Sequence, residues 1–120
     1  MSYFKRTNEI ICWLSSLIFK VFDSEEVQVW LIGSIASGSL APQDCDVLIM
    51  LNSSCILRLI KVSPIWRKEF EERFKLPLHL TRITYDEAES CNLFLEAVFN
   101  KSSIRIMPGI TQYNNPIGAD

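Results

Sequence analysis

Hydrophobic residues recur at helical spacing near the start of the chain and later gather into short continuous runs. The apolar positions of the first segment are Ile10, Ile11, Trp13, Leu14, Leu17, Ile18, Val21 and Phe22. Their spacing predicts an amphipathic helix with a broad buried face, for which Thr7 is the expected N-cap. The runs 27–32 and 47–51 have the length and the β-branched content of buried strands.

A proline interrupts the apolar pattern that follows the second strand. Residues 56–60 favour a helical segment that ends near Ser63, and Pro64 suits the first turn of a new helix. The apolar stripe of this second helix consists of Ile65, Trp66, Phe70 and Phe74. The charged run 67–73 is typical of a solvated helix face.

The last third of the chain predicts one more strand, one more helix and a short edge strand. The run 78–83 is the third strand, and Thr84 with Glu87 forms a capping-box pattern that opens a helix. Residues 104–107 are expected to add an edge strand. From Pro108 onward, over about 108–120, we expect a loose C-terminal tail.

This order of elements predicts a single α/β (α+β) domain over residues 1–120, with a small mixed β-sheet and helices packed mainly on one face. A chain of 120 residues, 48% apolar and 22% charged, can bury one hydrophobic core and is not typical of a disordered protein. The net charge of −2 gives no indication of a nucleic-acid-binding surface, which usually needs a basic face.

The cysteine pattern and the apolar runs bear on location. The four cysteines form no CxxC pair and no histidine lies at zinc-site spacing, so we do not expect a zinc site. The first helix is amphipathic and polar-interrupted, unlike a signal peptide, so we expect reduced thiols and a cytoplasmic location. No apolar run is long enough to cross a membrane, and a membrane is not an expected partner.

Candidate chemistry begins with two aspartates beside the second strand run. Asp44 and Asp46 lie two positions apart, and residues at i and i+2 of a strand project from the same face. Two partly desolvated like charges repel unless a cation lies between them. Mg²⁺ suits this role, because it binds one or two carboxylates and keeps waters and phosphate oxygens as its other ligands.

The small-residue loop before the aspartates supplies the complementary part of a phosphate site. Gly33 permits close backbone approach, and N–H groups together with the hydroxyls of Ser34 and Ser37 can hold phosphate oxygens. A short helix that starts near Ser34 would strengthen this anion site. The alternative is a serine-rich turn before a strand whose two aspartates are merely solvated.

Gly33-Ser34, nine intervening residues and then Asp44-Cys45-Asp46-Val47 resemble the GS…DxD signature of the DNA polymerase β-like nucleotidyltransferase superfamily, and in particular its small, minimal members. The resemblance implies a nucleotidyltransferase-like fold and Mg²⁺-dependent transfer of a nucleoside monophosphate from an NTP to a hydroxyl acceptor. It also implies that Gly33 and Ser34 hold the triphosphate, and that Asp44 and Asp46 bind the metal and serve catalysis.

The complete site of that family has a third carboxylate on the next strand. The matching run 78–83 contains no Asp or Glu, and His79 takes the equivalent position. His79 has three interpretations: a catalytic base or metal ligand, a structural histidine on a half-buried strand, or the mark of a site that binds nucleotide without reacting.

The size of the chain bears on how the acceptor is held, because many members of the family carry an extra helical domain for that purpose. We expect this chain to obtain that surface from a second copy in a homodimer or from a partner protein. The rival hypothesis is a non-catalytic binding protein on the same fold, of the antitoxin or immunity type, with a degenerate site. The missing carboxylate favours the rival, whereas Gly33, Ser34, Asp44 and Asp46 favour the enzyme.

Overall fold

A four-stranded mixed sheet with the order β3-β2-β1-β4 lies at the centre of the protein. The computed structural model describes the backbone of residues 3–109 and the side chains of residues 5–109. The strands are β1 (Val27–Ile32), β2 (Cys45–Leu51), β3 (Leu78–Thr84) and β4 (Ile104–Ile106). Strand β1 is antiparallel to β2 and β4, whereas β2 and β3 are parallel. The predicted fold class and mixed sheet are confirmed, and the expected tail beyond residue 109 lies outside the described residues.

Helices connect the strands in chain order. They are α1 (Tyr3–Ile18), α2 (Gly33–Ala36), α3 (Ile56–Phe74), α4 (Tyr85–Ala88) and α5 (Asn92–Phe99). The connection from β2 to β3 contains α3, because a parallel pair of strands needs a crossover long enough to return to the same end of the sheet. Within residues 3–109, no helix has the length and apolar character needed to cross a membrane.

The main core lies between α1, α3 and one face of the sheet. Val27, Val29 and Leu31 alternate along β1 and are buried with apolar side chains of both helices. Phe70 of α3 is fully buried, and its ring meets the ring of Trp13 edge to face at 5.6 Å between centroids. Helix packing on this face therefore holds the crossover helix, and with it β3, against β2.

The opposite face of the sheet carries a smaller apolar cluster. Leu48 and Ile83 are buried there beneath Leu95 of α5. The ring of Trp30 lies 5.0 Å from that of Phe99 between centroids, and Arg105 stacks over Trp30 at 5.0 Å. The helices are thus packed mainly on the α1–α3 face, as predicted, and α5 covers part of the other.

The predicted helix break at Pro64 is wrong. Helix α3 is continuous through Pro64, which removes one backbone donor from the helix interior. The hydroxyl of Ser63 donates to the carbonyl of Ile60 at 3.4 Å, the carbonyl that the missing N–H would have reached. Buried Leu59 and Trp66 on either side of the proline belong to the same core, and this packing overrides the local signal.

Two other helix boundaries differ from the sequence-based prediction. Helix α1 begins at Tyr3 and ends at Ile18, so Thr7 is a buried residue inside the helix and not its N-cap. Phe22 remains in the core although it lies beyond the helix. The single helix expected after Thr84 is two short helices, α4 and α5, separated by residues 89–91.

The capping box at the start of α4 is confirmed. The backbone N–H of Glu87 donates to Thr84 Oγ1 at 3.1 Å, and the N–H of Thr84 donates to Glu87 Oε1 at 3.0 Å. These two bonds satisfy backbone donors that would otherwise lack partners at the helix start. The bond from the Thr84 N–H, followed by one that the Thr84 hydroxyl donates to Glu87 Oε1 at 3.0 Å, lowers the pKa of the Glu87 carboxyl.

Thr84→Ala is expected to lower the free energy of unfolding by about 1 kcal/mol, because it removes the N-cap acceptor. Urea denaturation would measure the change. Thr81→Ala is the matched control, since Thr81 lies on the same strand with an exposed side chain. Equal stability of the two variants would mean that the capping box contributes nothing.

Candidate functional site

Asp44, Asp46 and His79 converge at one end of the neighbouring strands β2 and β3. Asp46 lies directly opposite His79 in the parallel register, and Asp44 immediately precedes β2. Nδ1 of His79 lies 3.5 Å from Oδ2 of Asp44 and 3.3 Å from Oδ1 of Asp46. One ligand atom from each of the three residues lies within 4.8 Å of the others. The structure therefore brings the two aspartates predicted to bind metal together with His79, the residue predicted to stand in the place of the third carboxylate.

Successive side chains of β2 project from opposite faces of the sheet, so the site residues and the core residues of this strand lie on different faces. Cys45, between the two aspartates, is fully buried on the opposite face, and burial raises the pKa of its thiol to about 12. Cys45 is thus a neutral core residue and contributes no ligand to the site. Its N–H donates to the carbonyl of Pro77 at 2.9 Å, a bond that places the start of β2 against the start of β3. Sequence reasoning missed this positioning contact, since no local pattern signals it.

The two carboxylates are close enough to perturb each other. Partial burial, followed by the charge of Asp44 and a hydrogen bond to it, raises the pKa of Asp46, while His79 acts in the opposite direction. The side chains of Asp44 and Asp46 retain 33% and 32% of their exposure, and that of His79 retains 57%. The site is accordingly open to ligands from solvent, and its electrostatics favour a cation between the carboxylates.

Gly33 lies where the loop backbone meets Asp46. Its φ of +75° is in the left-handed region, and a Cβ built on it would lie 2.5 Å from Oδ2 of Asp46. Any side chain at this position would be both strained and in collision with the carboxylate. The predicted close backbone approach at Gly33 therefore has a specific reason, which is contact with the acidic pair.

The serines hold the loop in a tight turn. The Ser37 hydroxyl donates to the carbonyl of Ser34 at 3.0 Å, and the Ser37 N–H donates to the carbonyl of Gly33 at 3.0 Å. Ile35 is buried and anchors the turn in the main core. Ser34 is half-buried and Ser37 is exposed, so the outer side of the turn remains accessible.

Comparisons with protein-family models, with curated proteins and with solved structures found no match to this chain. The geometry around Asp44, Asp46, His79 and Gly33 is therefore the basis for assigning a function.

Proposed function

We propose that the protein is a metal-dependent nucleotidyltransferase that moves a nucleoside monophosphate from an NTP to a hydroxyl acceptor. The observation that carries the proposal is the convergence of Asp44 and Asp46 beside the backbone of Gly33. A carboxylate pair provides a metal site, and the adjoining turn provides N–H groups for phosphate oxygens. The resemblance of Gly33-Ser34 and the Asp44–Asp46 pair to the superfamily signature supports the same reaction.

The residues present fit a divalent cation such as Mg²⁺. Both carboxylates are partly exposed, which leaves room for waters and phosphate oxygens as the remaining ligands. Asp44 and Asp46 would hold the ion. When bound, the ion would offset the negative charge of the triphosphate and help orient it for in-line displacement.

The chain's own groups have distinct roles in this proposal. The backbone of Gly33 and Ser34 binds phosphate oxygens, with Ser37 keeping the turn compact. The acceptor hydroxyl oxygen forms a bond to the α-phosphorus as the bond to the bridging oxygen breaks, and pyrophosphate leaves. The hydroxyl proton passes to solvent, to which the partly exposed site is open.

Titration of the four common NTPs in the presence of Mg²⁺ or of Mn²⁺ would test binding, and pyrophosphate release with simple hydroxyl acceptors would test transfer. The proposal expects at least one NTP to bind only when the metal is present. Absence of metal-dependent binding for all four NTPs would reject it.

A second candidate is the non-catalytic binding protein with a degenerate site. Two observations favour it: His79 stands where the family has a carboxylate, and apolar side chains are exposed on two helices. Leu57 of α3 is 76% exposed and Leu93 of α5 is 83% exposed. Exposed apolar side chains that lie together are typical of surfaces that a partner covers, and Leu57 lies one turn from exposed Ile60 on α3. This candidate predicts that the protein binds nucleotide but does not turn it over, even when a partner protein or a second copy is supplied.

The proposal places the protein in the cytoplasm, where NTPs are abundant and thiols stay reduced. The free thiols of Cys45 and Cys55 in the core are compatible with that environment. An acceptor surface from a homodimer or a partner protein is part of the same proposal.

A further inference from the structure

The candidate ligands form a mixed donor set of two carboxylates and one imidazole. Mg²⁺ takes oxygen ligands, whereas imidazole nitrogen suits Zn²⁺ and other first-row transition ions. Replacement of a carboxylate by His79 therefore changes the chemistry of the site as well as its charge. With a neutral imidazole the set carries two negative charges, where three carboxylates would carry three.

His79 is placed to bind the same ion as the aspartates. Its Nδ1 is the atom that faces both carboxylates, at 3.5 Å from Asp44 and 3.3 Å from Asp46. Two ligand atoms held at about 2.0–2.1 Å by a tetrahedral ion lie about 3.3–3.4 Å apart. Adjacent ligands of an octahedral magnesium ion lie only about 2.8–3.0 Å apart. The 3.3 Å separation from Asp46 falls in the tetrahedral range and the 3.5 Å separation from Asp44 lies just above it, so both exceed the octahedral spacing.

We infer that this site selects a first-row transition ion over Mg²⁺, with Zn²⁺ bound more tightly than Mn²⁺, and that Nδ1 of His79 is the ligand that sets the preference. The inference rests on the proposed function, because the ion would occupy the nucleotide site formed by Asp44 and Asp46.

Calorimetric titration of the untagged chain with MnCl₂ or MgCl₂, without nucleotide, is the quantitative test. Manganese is chosen because thiols are strong Zn²⁺ ligands in general, and the thiols of Cys12 and Cys91 are only half-buried. The wild type is expected to bind Mn²⁺ more tightly than Mg²⁺, because Mg²⁺ takes oxygen ligands and gives up its waters reluctantly. His79→Asp is expected to reduce the ratio of the Mn²⁺ affinity to the Mg²⁺ affinity by about 10-fold or more, by restoring an all-oxygen ligand set.

A second measurement reports on the ligand atom itself. The chain contains one histidine, so its imidazole ¹⁵N resonances are assigned without ambiguity. Zn²⁺ should shift the Nδ1 resonance strongly and Nε2 weakly, and Mn²⁺ should broaden both. Asp86→Asn, which removes an exposed acid on α4, is the matched control and should leave these effects unchanged.

An unchanged Nδ1 resonance on Zn²⁺ addition, or the same Mn²⁺-to-Mg²⁺ ratio in wild type and His79→Asp, would overturn the inference. Failure of the proposed function is distinguishable from that result. Selective Mn²⁺ binding without any NTP binding would reject the function alone, whereas NTP binding with Mg²⁺ and no ion selectivity would reject the inference alone.

Discussion

Asp44→Asn combined with Asp46→Asn is expected to weaken metal-dependent NTP binding by at least about 100-fold, because both proposed oxygen ligands become neutral amides. The fold should persist, since both side chains are partly exposed and lie outside the apolar core. Calorimetric titration of NTP with and without the metal measures the effect. Residual metal-independent binding should be the same in wild type and variant.

The same double variant should be slightly more stable than the wild type in the absence of metal. The pKa of Asp46 is raised in the folded protein, so ionisation of Asp46 opposes folding once the pH exceeds its unfolded value, and the penalty is complete above the folded pKa. Because the side chains are solvent-screened, we expect a gain of about 0.5 kcal/mol at pH 8. The gain should vanish in acid, where the Asp46 carboxyl is protonated in both the folded and the unfolded protein.

The matched control is Asp86→Asn with Glu89→Gln, which removes two exposed acids from the region of α4. It changes the net charge by the same amount and should leave metal-dependent affinity unaltered. If the Asp44 and Asp46 variant instead retained wild-type affinity, the carboxylate pair would have no part in binding the nucleotide.

Gly33→Ala is expected to lower the free energy of unfolding by about 1–3 kcal/mol and to weaken metal binding by about 10-fold or more. The stability loss has two causes, which are the φ of +75° and the 2.5 Å approach of the new Cβ to Asp46 Oδ2. Relief of that collision must move the Asp46 carboxylate or the turn. Both responses alter the site. Urea denaturation and Mn²⁺ titration measure the two effects.

Gly109→Ala separates strain from collision. Gly109 has a similar φ of +79°, but a Cβ there would have no heavy atom within 4 Å. Gly109→Ala should lower the free energy of unfolding only by the cost of the strained backbone, and it should keep the Mn²⁺ affinity of the wild type. Equal stability losses and unchanged affinity in both variants would show that the approach of Gly33 to Asp46 does not constrain the site.

The strands and the acidic pair were predictable because their signals are local. The run 27–32 is bounded by polar residues and matches β1, and the two-residue period of β2 places Asp44 and Asp46 on one side. The third site residue depended on more than a local pattern. His79 meets Asp46 only because α3 returns the chain so that β3 pairs in parallel with β2. The position of His79 was predicted through the family resemblance, which itself stays a prediction.

The helix errors share a physical cause, which is that tertiary packing outweighs local propensity. Pro64 is a strong local stop signal, yet burial of Leu59 and Trp66 on either side keeps α3 continuous. Thr7 is a good N-cap by type, but the helix continues on its N-terminal side and Thr7 is buried within it. No property of these residues in isolation distinguishes the two outcomes, because the deciding contacts come from distant parts of the chain.

The most direct test of the central claim is a crystal structure of the wild type with Mn²⁺ and a non-hydrolysable NTP analogue, in which the anomalous signal of manganese locates the ion. The proposed function predicts an ion coordinated by Asp44 and Asp46, with the triphosphate against the backbone of Gly33 and Ser34, and the inferred metal preference adds His79 as a ligand. An ion or a triphosphate bound elsewhere, with these residues uninvolved, would contradict it.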